Sequence, residues 1–184
     1  MPTLNARNSI ELGGYALSPV TDFGVFTGFS CGDADLDDFL HSDAAKHAEQ
    51  LLAVTYALCL KEAPLKTPLA FASLLNDSAK MGSRFRRRLP RACHYRDYPA
   101  VKIGRLGVRQ EAQGRGVGRD FLDILRTLFL QDNRTGCRIM TVDAYAASIS
   151  FYEKNGFQFF SEEDSEQDTR AMFFDLARFQ LRKI

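Results

Sequence analysis

Four cysteines, Cys31, Cys59, Cys93 and Cys137, are scattered without a single C-x-x-C pair. That spacing excludes a dithiol redox motif and points to reduced thiols that mostly fill the core. His41, His47 and His94 hold no metal-ligand spacing with them or with one another, so no metal is expected. No stretch approaches the roughly 20 consecutive apolar residues of a membrane span. Met1 to Gly14 has no apolar core of the kind a signal peptide needs, and the expected location is the cytoplasm. Charge of one sign is also missing. Lys and Arg total 24 against 23 Asp and Glu, for a formal net charge of +1, so the field of the whole chain selects neither nucleic acid nor a basic partner. Internal repeats and low-complexity linkers are absent.

What is present is an ordinary soluble composition, 45% hydrophobic and 26% charged over 184 residues. It fits a single domain spanning residues 1–184, long enough to bury roughly 70% of its unfolded surface. After Phe29-Ser30-Cys31-Gly32, Asp33 or Asp35 can cap a helix with Leu36, Phe39 and Leu40 on one face. Asp35, Asp37 and Asp38 solvate that helix and suit its N-terminal dipole. Val54–Leu60 and Leu69–Leu75 read as strands apolar on both faces, as in a covered sheet. Arg84–Arg96 holds six arginines and Pro90 with no acid among them, and reads as a loop or short broken helix. Val101–Val108 is the next strand. From about Gly116, Gly118, Phe121, Leu122, Leu125, Leu128 and Phe129 recur at helical spacing. Arg138–Ala144 is a strand, and Ala147–Lys154 is a short helix stopped by Asn155-Gly156. Phe157–Phe160 and Ala171–Leu176 form a final hairpin across an acidic link of Glu162, Glu163, Asp164, Glu166 and Asp168. The expected fold class is α+β, a three-layer α/β/α arrangement with one mixed, mostly antiparallel sheet flanked by helices.

The chemistry concentrates where the strand ending at Val108 meets Gln113-Gly114-Arg115-Gly116-Val117-Gly118 and then a helix. Glycines let the backbone come close to a ligand. The helix N-terminus offers free N–H groups and a positive dipole end, which together hold phosphate or pyrophosphate. Arg115 and Arg119 can add charge-assisted contacts. The P-loop motif requires Lys-Ser/Thr after its last glycine, where Arg119 and Asp120 stand. The dinucleotide fingerprint G-x-G-x-x-G does not fit the glycine spacing. The pattern Gln/Arg-x-x-Gly-x-Gly/Ala does fit.

That pattern, with Gly104-Arg105-Leu106-Gly107-Val108 before it and Phe151-Tyr152-Glu153-Lys154-Asn155-Gly156-Phe157 after it, resembles the GNAT superfamily of acetyl-CoA-dependent N-acetyltransferases. The likeness covers Val101 to Phe160. A looser one links Phe29-Ser30-Cys31-Gly32, Leu36-Asp37, Phe39-Leu40, Ala44 and Arg88-Leu89-Pro90 to the toxin branch that acetylates aminoacyl-tRNA. The resemblance implies that the cosubstrate acetyl-CoA places its pyrophosphate on Gln113, Gly114, Arg115, Gly116, Val117, Gly118 and Arg119. Its pantetheine arm would lie along Leu106, Gly107 and Val108, where the sheet splays. An amine attacks the thioester directly in a ternary complex, and Tyr152 is the candidate general acid for the departing thiolate. Two features depart from the usual pattern. Tyr145 and Ser148 stand where many members have Asn and Ala, and the strand Lys102–Val108 lacks the family's carboxylate base. Glu111 and Asp143 are the acids nearest in sequence.

For the arginine segment three readings stand: a solvated loop, contact with the 3′-phosphate of coenzyme A, and an RNA backbone site through Arg84, Arg86, Arg87, Arg88 and Arg91. The acceptor amine belongs to a small molecule, a peptide or a charged tRNA. A tRNA-acetylating toxin would bring a small antitoxin as partner, and a second copy of the chain is a further partner expected. A non-catalytic coenzyme A-binding module and a nucleic-acid-binding protein without activity are the alternatives from other classes.

Overall fold

The computed structural model describes residues 9–62, 67–131, 133, 135–161 and 168–179. Most of the acidic link, Glu162 to Glu166, lies outside them. The described residues hold eight strands: β1 (Ile10–Leu12), β2 (Tyr15–Pro19), β3 (Val54–Leu60), β4 (Ala70–Ala79), β5 (Tyr98–Val108), β6 (Ile139–Tyr145), β7 (Gln158–Phe159) and β8 (Thr169–Asp175). They form one sheet in the order β1-β2-β3-β4-β5-β6-β8-β7. The β5–β6 pair is parallel, whereas β1–β2, β2–β3, β3–β4, β6–β8 and β7–β8 are antiparallel. This is the mixed, mostly antiparallel sheet expected. No helix among the described residues is long and apolar enough to cross a membrane.

Two compact units divide the chain, one of Met1–Leu75, Gly104–Asp132 and Gln180–Ile184, the other of Asn76–Ile103 and Asn133–Phe179. In the first unit, β1 and β2 form a hairpin that the sequence does not announce. Gly13 and Gly14 sit at its turn with φ of 59° and 84°, and Leu12 pairs with Tyr15. Two central residues with positive φ make the tight turn whose twist matches antiparallel strands, and glycine takes that backbone without penalty. The helical run that follows Gly32 comprises α1 (Ala34–Asp38), a π-type turn at Phe39–Asp43 and α2 (Ala44–Glu49). Asp33 is its N-cap, its carboxylate accepting from the amides of Asp35 and Leu36, each at 3.1 Å. The expected face is buried. Phe39 and Leu40 pack with Phe26, Phe29, Cys31, Ala44, Ala57 and Phe71, and Leu36 lies against that cluster. Phe26, Phe29 and Phe71 meet edge to face, with centroids 5.6–6.0 Å apart.

The second unit holds the parallel segment of β5 and β6 and the antiparallel β6–β8 ladder, which runs from Ile139↔Asp175 to Tyr145↔Thr169. Here α3 (Ser83–Arg86) buries Phe85 in a cluster with Ala79, Met81, Tyr98, Ala100 and Ile139. In the first unit the long helix α4 (Val117–Gln131) buries Phe121, Leu122, Ile124, Leu125 and Leu128. It also buries an Asp123–Arg126 pair at 3.0 Å, a polar insertion that apolar periodicity does not disclose. Back in the second unit, α5 (Ile149–Lys154) stops at Asn155-Gly156 as expected. Gly156 has φ of 82°, and the amides of Gly156 and Phe157 reach back to the carbonyls of Glu153 and Tyr152 at 2.9 and 3.0 Å.

Candidate active site

Strand β5 carries the first half of the site. Its parallel ladder to β6 runs from Ala100↔Ile139 to Ile103↔Val142 and stops there, yet the strand continues to Val108. Gly104–Val108 therefore has an edge free of that ladder, with Leu106 and Val108 half-buried. Gly107 has a different duty from its neighbours. A Cβ on it would stand 2.6 Å from Cε1 of Phe71 and 3.2 Å from Sγ of Cys31, so packing of the layer beneath the strand requires glycine there.

The turn that follows carries the second half. Gly114 and Gly116 have φ of 73° and 84°, the left-handed region that L side chains rarely enter. Among the described residues, the amides of Gly114, Arg115, Gly116, Val117, Gly118 and Arg119 make no well-formed bond to a backbone carbonyl. The first such bond runs from the Asp120 amide to the Gly116 carbonyl, at 3.1 Å. Unpaired donors at the start of a 15-residue helix are an anion cradle with the dipole behind it. Val117 is buried. Arg115 is exposed. Arg119 is held by Asp120 at 3.0 Å, and a Cβ on Gly116 would come 3.4 Å from its guanidinium. The cation thus hangs over the turn.

Gln113 works inward rather than outward. Its side-chain amide donates to the Cys31 carbonyl at 2.7 Å and to the Val108 carbonyl at 2.9 Å, and its own N–H donates to the Gln110 carbonyl at 3.3 Å. Its donors are committed to shaping the turn. The Asp37 carboxylate, which its place in the sequence makes a solvating acid of the helix dipole, is likewise committed. It accepts from the Ser30 hydroxyl at 2.6 Å, the Cys31 amide at 2.8 Å and the Cys31 thiol at 3.1 Å. Burial pushes its acidity toward a higher pKa, but these bonds, with one from the Gly32 amide, overcome burial and leave the carboxyl below its ordinary value of 3.8. Cys31 is the reverse case: burial, first among the causes, pushes its thiol up to about 11, which makes it a packing group rather than a nucleophile.

Tyr152 lies in the second unit, on α5. It is buried, with ring centroids of Phe151 and Phe157 each 5.1 Å away at steep angles. Burial alone raises its pKa well above the ordinary value of 10, so the hydroxyl keeps its proton at neutral pH. Among the acids considered as bases, Glu111 is exposed on the approach to the turn. Asp143 is taken by Lys102, whose ammonium lies 2.5 Å from it. Of the two forms expected for the arginine segment, a loop or a short broken helix, it takes the second, with α3 and a 3-10 turn at Arg91–Cys93. Phe85 anchors it from below, under the guanidinium of Arg138 at 5.7 Å. Arg84, Arg86, Arg87, Arg88 and Arg91 are exposed. Among the described residues none of the five has an acidic partner, and Arg96 pairs with Asp97 at 3.7 Å.

Comparison with known proteins gives the class first. Residues 87–159 match the sequence profile of the acetyltransferase (GNAT) domain. That is the class of acyl-CoA-dependent acyltransferases, with acetyl-CoA as cosubstrate. Solved structures extend the likeness in fold to most of the chain. A tyrosine variant of KacT is similar with a TM-score of 0.72 at 20% identity, covering 89% of this chain and 96% of that one. AtaT complexed with acetyl-methionyl-tRNAfMet gives 0.70 at 21% identity over 89% and 95%. AtaTR bound with acetyl-CoA gives 0.66 at 21% identity over 89% and 94%. Residues 87–159 are thus similar to that domain, and the fold over most of the chain is similar to that of these three structures.

Proposed function

We propose that this chain, one transferase domain over residues 1–184, moves the acetyl group of acetyl-CoA onto the free amino group of an aminoacyl-tRNA. The observation that carries the acceptor is the row of five exposed arginines, Arg84 to Arg91, without acidic partners among the described residues. Long cationic side chains with no internal claim suit a polyphosphate backbone. A similar fold, AtaT, is known in complex with acetyl-methionyl-tRNAfMet. The same family of structures includes the AtaT toxin bound to the C-terminus of the antitoxin AtaR, and an antitoxin is the partner expected here.

On this reading the amides of Gly114 to Arg119 take the pyrophosphate, with Arg115 and Arg119 adding charge and Gln113 and Val117 holding the turn in shape. Backbone groups of Leu106 and Val108 on the free edge of β5 pair with the amides of the pantetheine arm, and Gly107 keeps that strand seated on Phe71. The amino nitrogen attacks the thioester carbonyl, the C–N bond forms, and the C–S bond breaks as the tetrahedral adduct collapses. The thiolate leaves with a proton from the Tyr152 hydroxyl, the ammonium nitrogen of the adduct gives up a proton to solvent as the amide forms, and the tyrosinate recovers its proton from solvent. A strong base is unnecessary for such an acceptor. An α-amino group has a pKa of about 7.7–8.0, so a sizeable fraction is neutral near pH 7, in keeping with a β5 that carries no carboxylate.

The test is acetyl-CoA consumption by the purified chain with charged tRNA, uncharged tRNA and free amino acids. Turnover confined to charged tRNA is expected. Turnover with small amines alone would reassign the acceptor, and consumption with no acceptor would leave only a hydrolase.

A further inference from the structure

One stretch of the chain takes no part in the transfer step: Ser30-Cys31-Gly32 and Asp37, in front of α1 and on it. The first unit places them against the residues that lead into the glycine turn. The Gln110 amide donates to the Ser30 carbonyl at 3.0 Å, and the Gln110 side chain fills the space beside Gly32, where a Cβ would meet its Nε2 at 3.2 Å. The Cys31 carbonyl accepts from the Gln113 side chain at 2.7 Å. On the other side of this short segment the Asp37 carboxylate collects the Ser30 hydroxyl, the Cys31 amide and the Cys31 thiol. A chain of contacts therefore runs from Asp37 through the backbone on either side of the Cys31 Cα to Gln113 and on to the Val108 carbonyl at 2.9 Å. Arg109 pins the strand end nearby, donating to the carbonyls of Pro68 and Gly28 at 2.9 and 3.1 Å. The Ser30–Cys31 peptide is polarised from both sides, its N–H by the Asp37 carboxylate and its C=O by the Gln110 amide, and such relayed bonds reinforce each other.

We infer that Asp37 is a positioning residue for acetyl-CoA: through Ser30, Cys31 and Gln113 it fixes the entry of the turn Gly114–Arg119, and so holds the amides of that turn aimed at the pyrophosphate. The inference rests on the reading of that turn as the pyrophosphate site. It gives Asp37 a function in ligand binding although the residue touches no ligand, and it assigns the two separated motifs, Ser30 to Asp37 and Gln113 to Gly118, to a single device. A preset donor array binds without reorganising, whereas a loosened one must be ordered on binding.

Isothermal calorimetry with coenzyme A, on the full chain, tests it with the variants Asp37→Asn, Gln113→Ala and the pair together. Each single change is expected to weaken binding roughly tenfold, about the worth of one hydrogen bond to a charged group. The double variant is expected to be no weaker than the weaker single one, because both changes cut the same chain. In turnover, KM for acetyl-CoA should rise while kcat at saturation stays near wild type. Additive losses in the double variant overturn the inference. So does unchanged affinity beside a lowered melting temperature, which would make Asp37 a fold-stabilising acid only. Should Asp37→Asn fail to fold, Ser30→Ala removes one link and keeps the charge; paired with Gln113→Ala it must show the same non-additivity. A wild-type chain that binds no coenzyme A overturns the pyrophosphate reading itself, whereas a binding wild type with additive variants overturns only the role of Asp37.

Discussion

The proposed function gives phosphate to two regions of this molecule, and they are built by opposite means. The turn Gly114–Arg119 presents main-chain amides held by the geometry of α4 and by Gln113, with only Arg115 and Arg119 adding charge. The segment Arg84–Arg91 presents five guanidinium groups on long side chains above a single anchored residue, Phe85. Amides fixed in direction select for the shape of a bound group and lose little entropy on binding. Guanidinium groups on flexible stems supply charge without a fixed target, and each must be ordered when it engages. The first construction suits one small, invariant ligand. The second suits a long polyanion whose phosphates need only be near.

The comparison breaks most severely at Gly116. Its φ of 84° is one that L side chains rarely adopt, so Gly116→Trp strains the turn and adds a bulky ring at the mouth of the proposed pyrophosphate site. Coenzyme A affinity should fall at least about a hundredfold, close to 2.8 kcal/mol, with tRNA binding retained. Calorimetry and filter binding on the same preparation check both halves. Tyr152→Phe should be neutral for both regions and yet lower kcat about a hundredfold, the low end for general-acid assistance. Single-turnover rates at saturating substrates measure it, and a coincident loss of affinity would make Tyr152 a binding residue.

Reversing Arg86, Arg87 and Arg88 to Glu should leave coenzyme A affinity near wild type and abolish tRNA binding at physiological salt. Where binding survives at low salt, its salt slope should flatten by about 0.7–0.9 for each phosphate that the variant no longer engages. If the triple variant loses coenzyme A instead, the segment serves the 3′-phosphate and both regions hold the same ligand. The smallest effect concerns pH. The Asp37 carboxyl is held below 3.8 in the folded chain, so its charge contributes stability above that pH, and the contribution fades as pH falls through the lower folded value. Melting curves of wild type and Asp37→Asn from pH 6 to pH 2 should therefore differ at the upper end and converge at the lower.

The two regions also differ in how they can be read from sequence. Gly114, Gly116 and Gly118 ahead of the stripe Phe121, Leu122, Leu125 and Leu128 announce a turn and a helix, because both depend on local dihedrals and periodicity. The arginines announce only a charge. What β4 and β5 do at their ends is hidden for a related reason. β4 continues past Leu75 through Asn76, Asp77 and Ser78, poor strand formers, where the Thr141 hydroxyl bonds to Asp77 at 2.5 Å. β5 begins at Tyr98 and carries Pro99, whose carbonyl takes the Arg138 amide at 2.9 Å. Both extensions make bonds to β6 or the residue before it, which are remote in sequence. The β1–β2 hairpin escapes notice although Gly13-Gly14 is a recognised turn pair, since three-residue β1 is too short for alternation to show. The inward duties of Gln113 and Asp37 depend on Cys31, far from one and across a helix cap from the other, and no spacing rule joins them.

The close approach of Gly107, Phe71 and Cys31 has a bearing on how this chain can diverge. With a would-be Cβ 2.6 Å from the Phe71 ring, position 107 admits no side chain until position 71 has shrunk. The reverse order is open: Phe71→Leu costs a cavity in the cluster of Phe26 and Phe29 but creates no steric clash. Substitution here is therefore ordered, in either direction. A lineage that gains alanine at 107 must first have passed through a smaller residue at 71, and once alanine is in place phenylalanine cannot return without expelling it. The order in which the two positions can change is set by a single van der Waals distance.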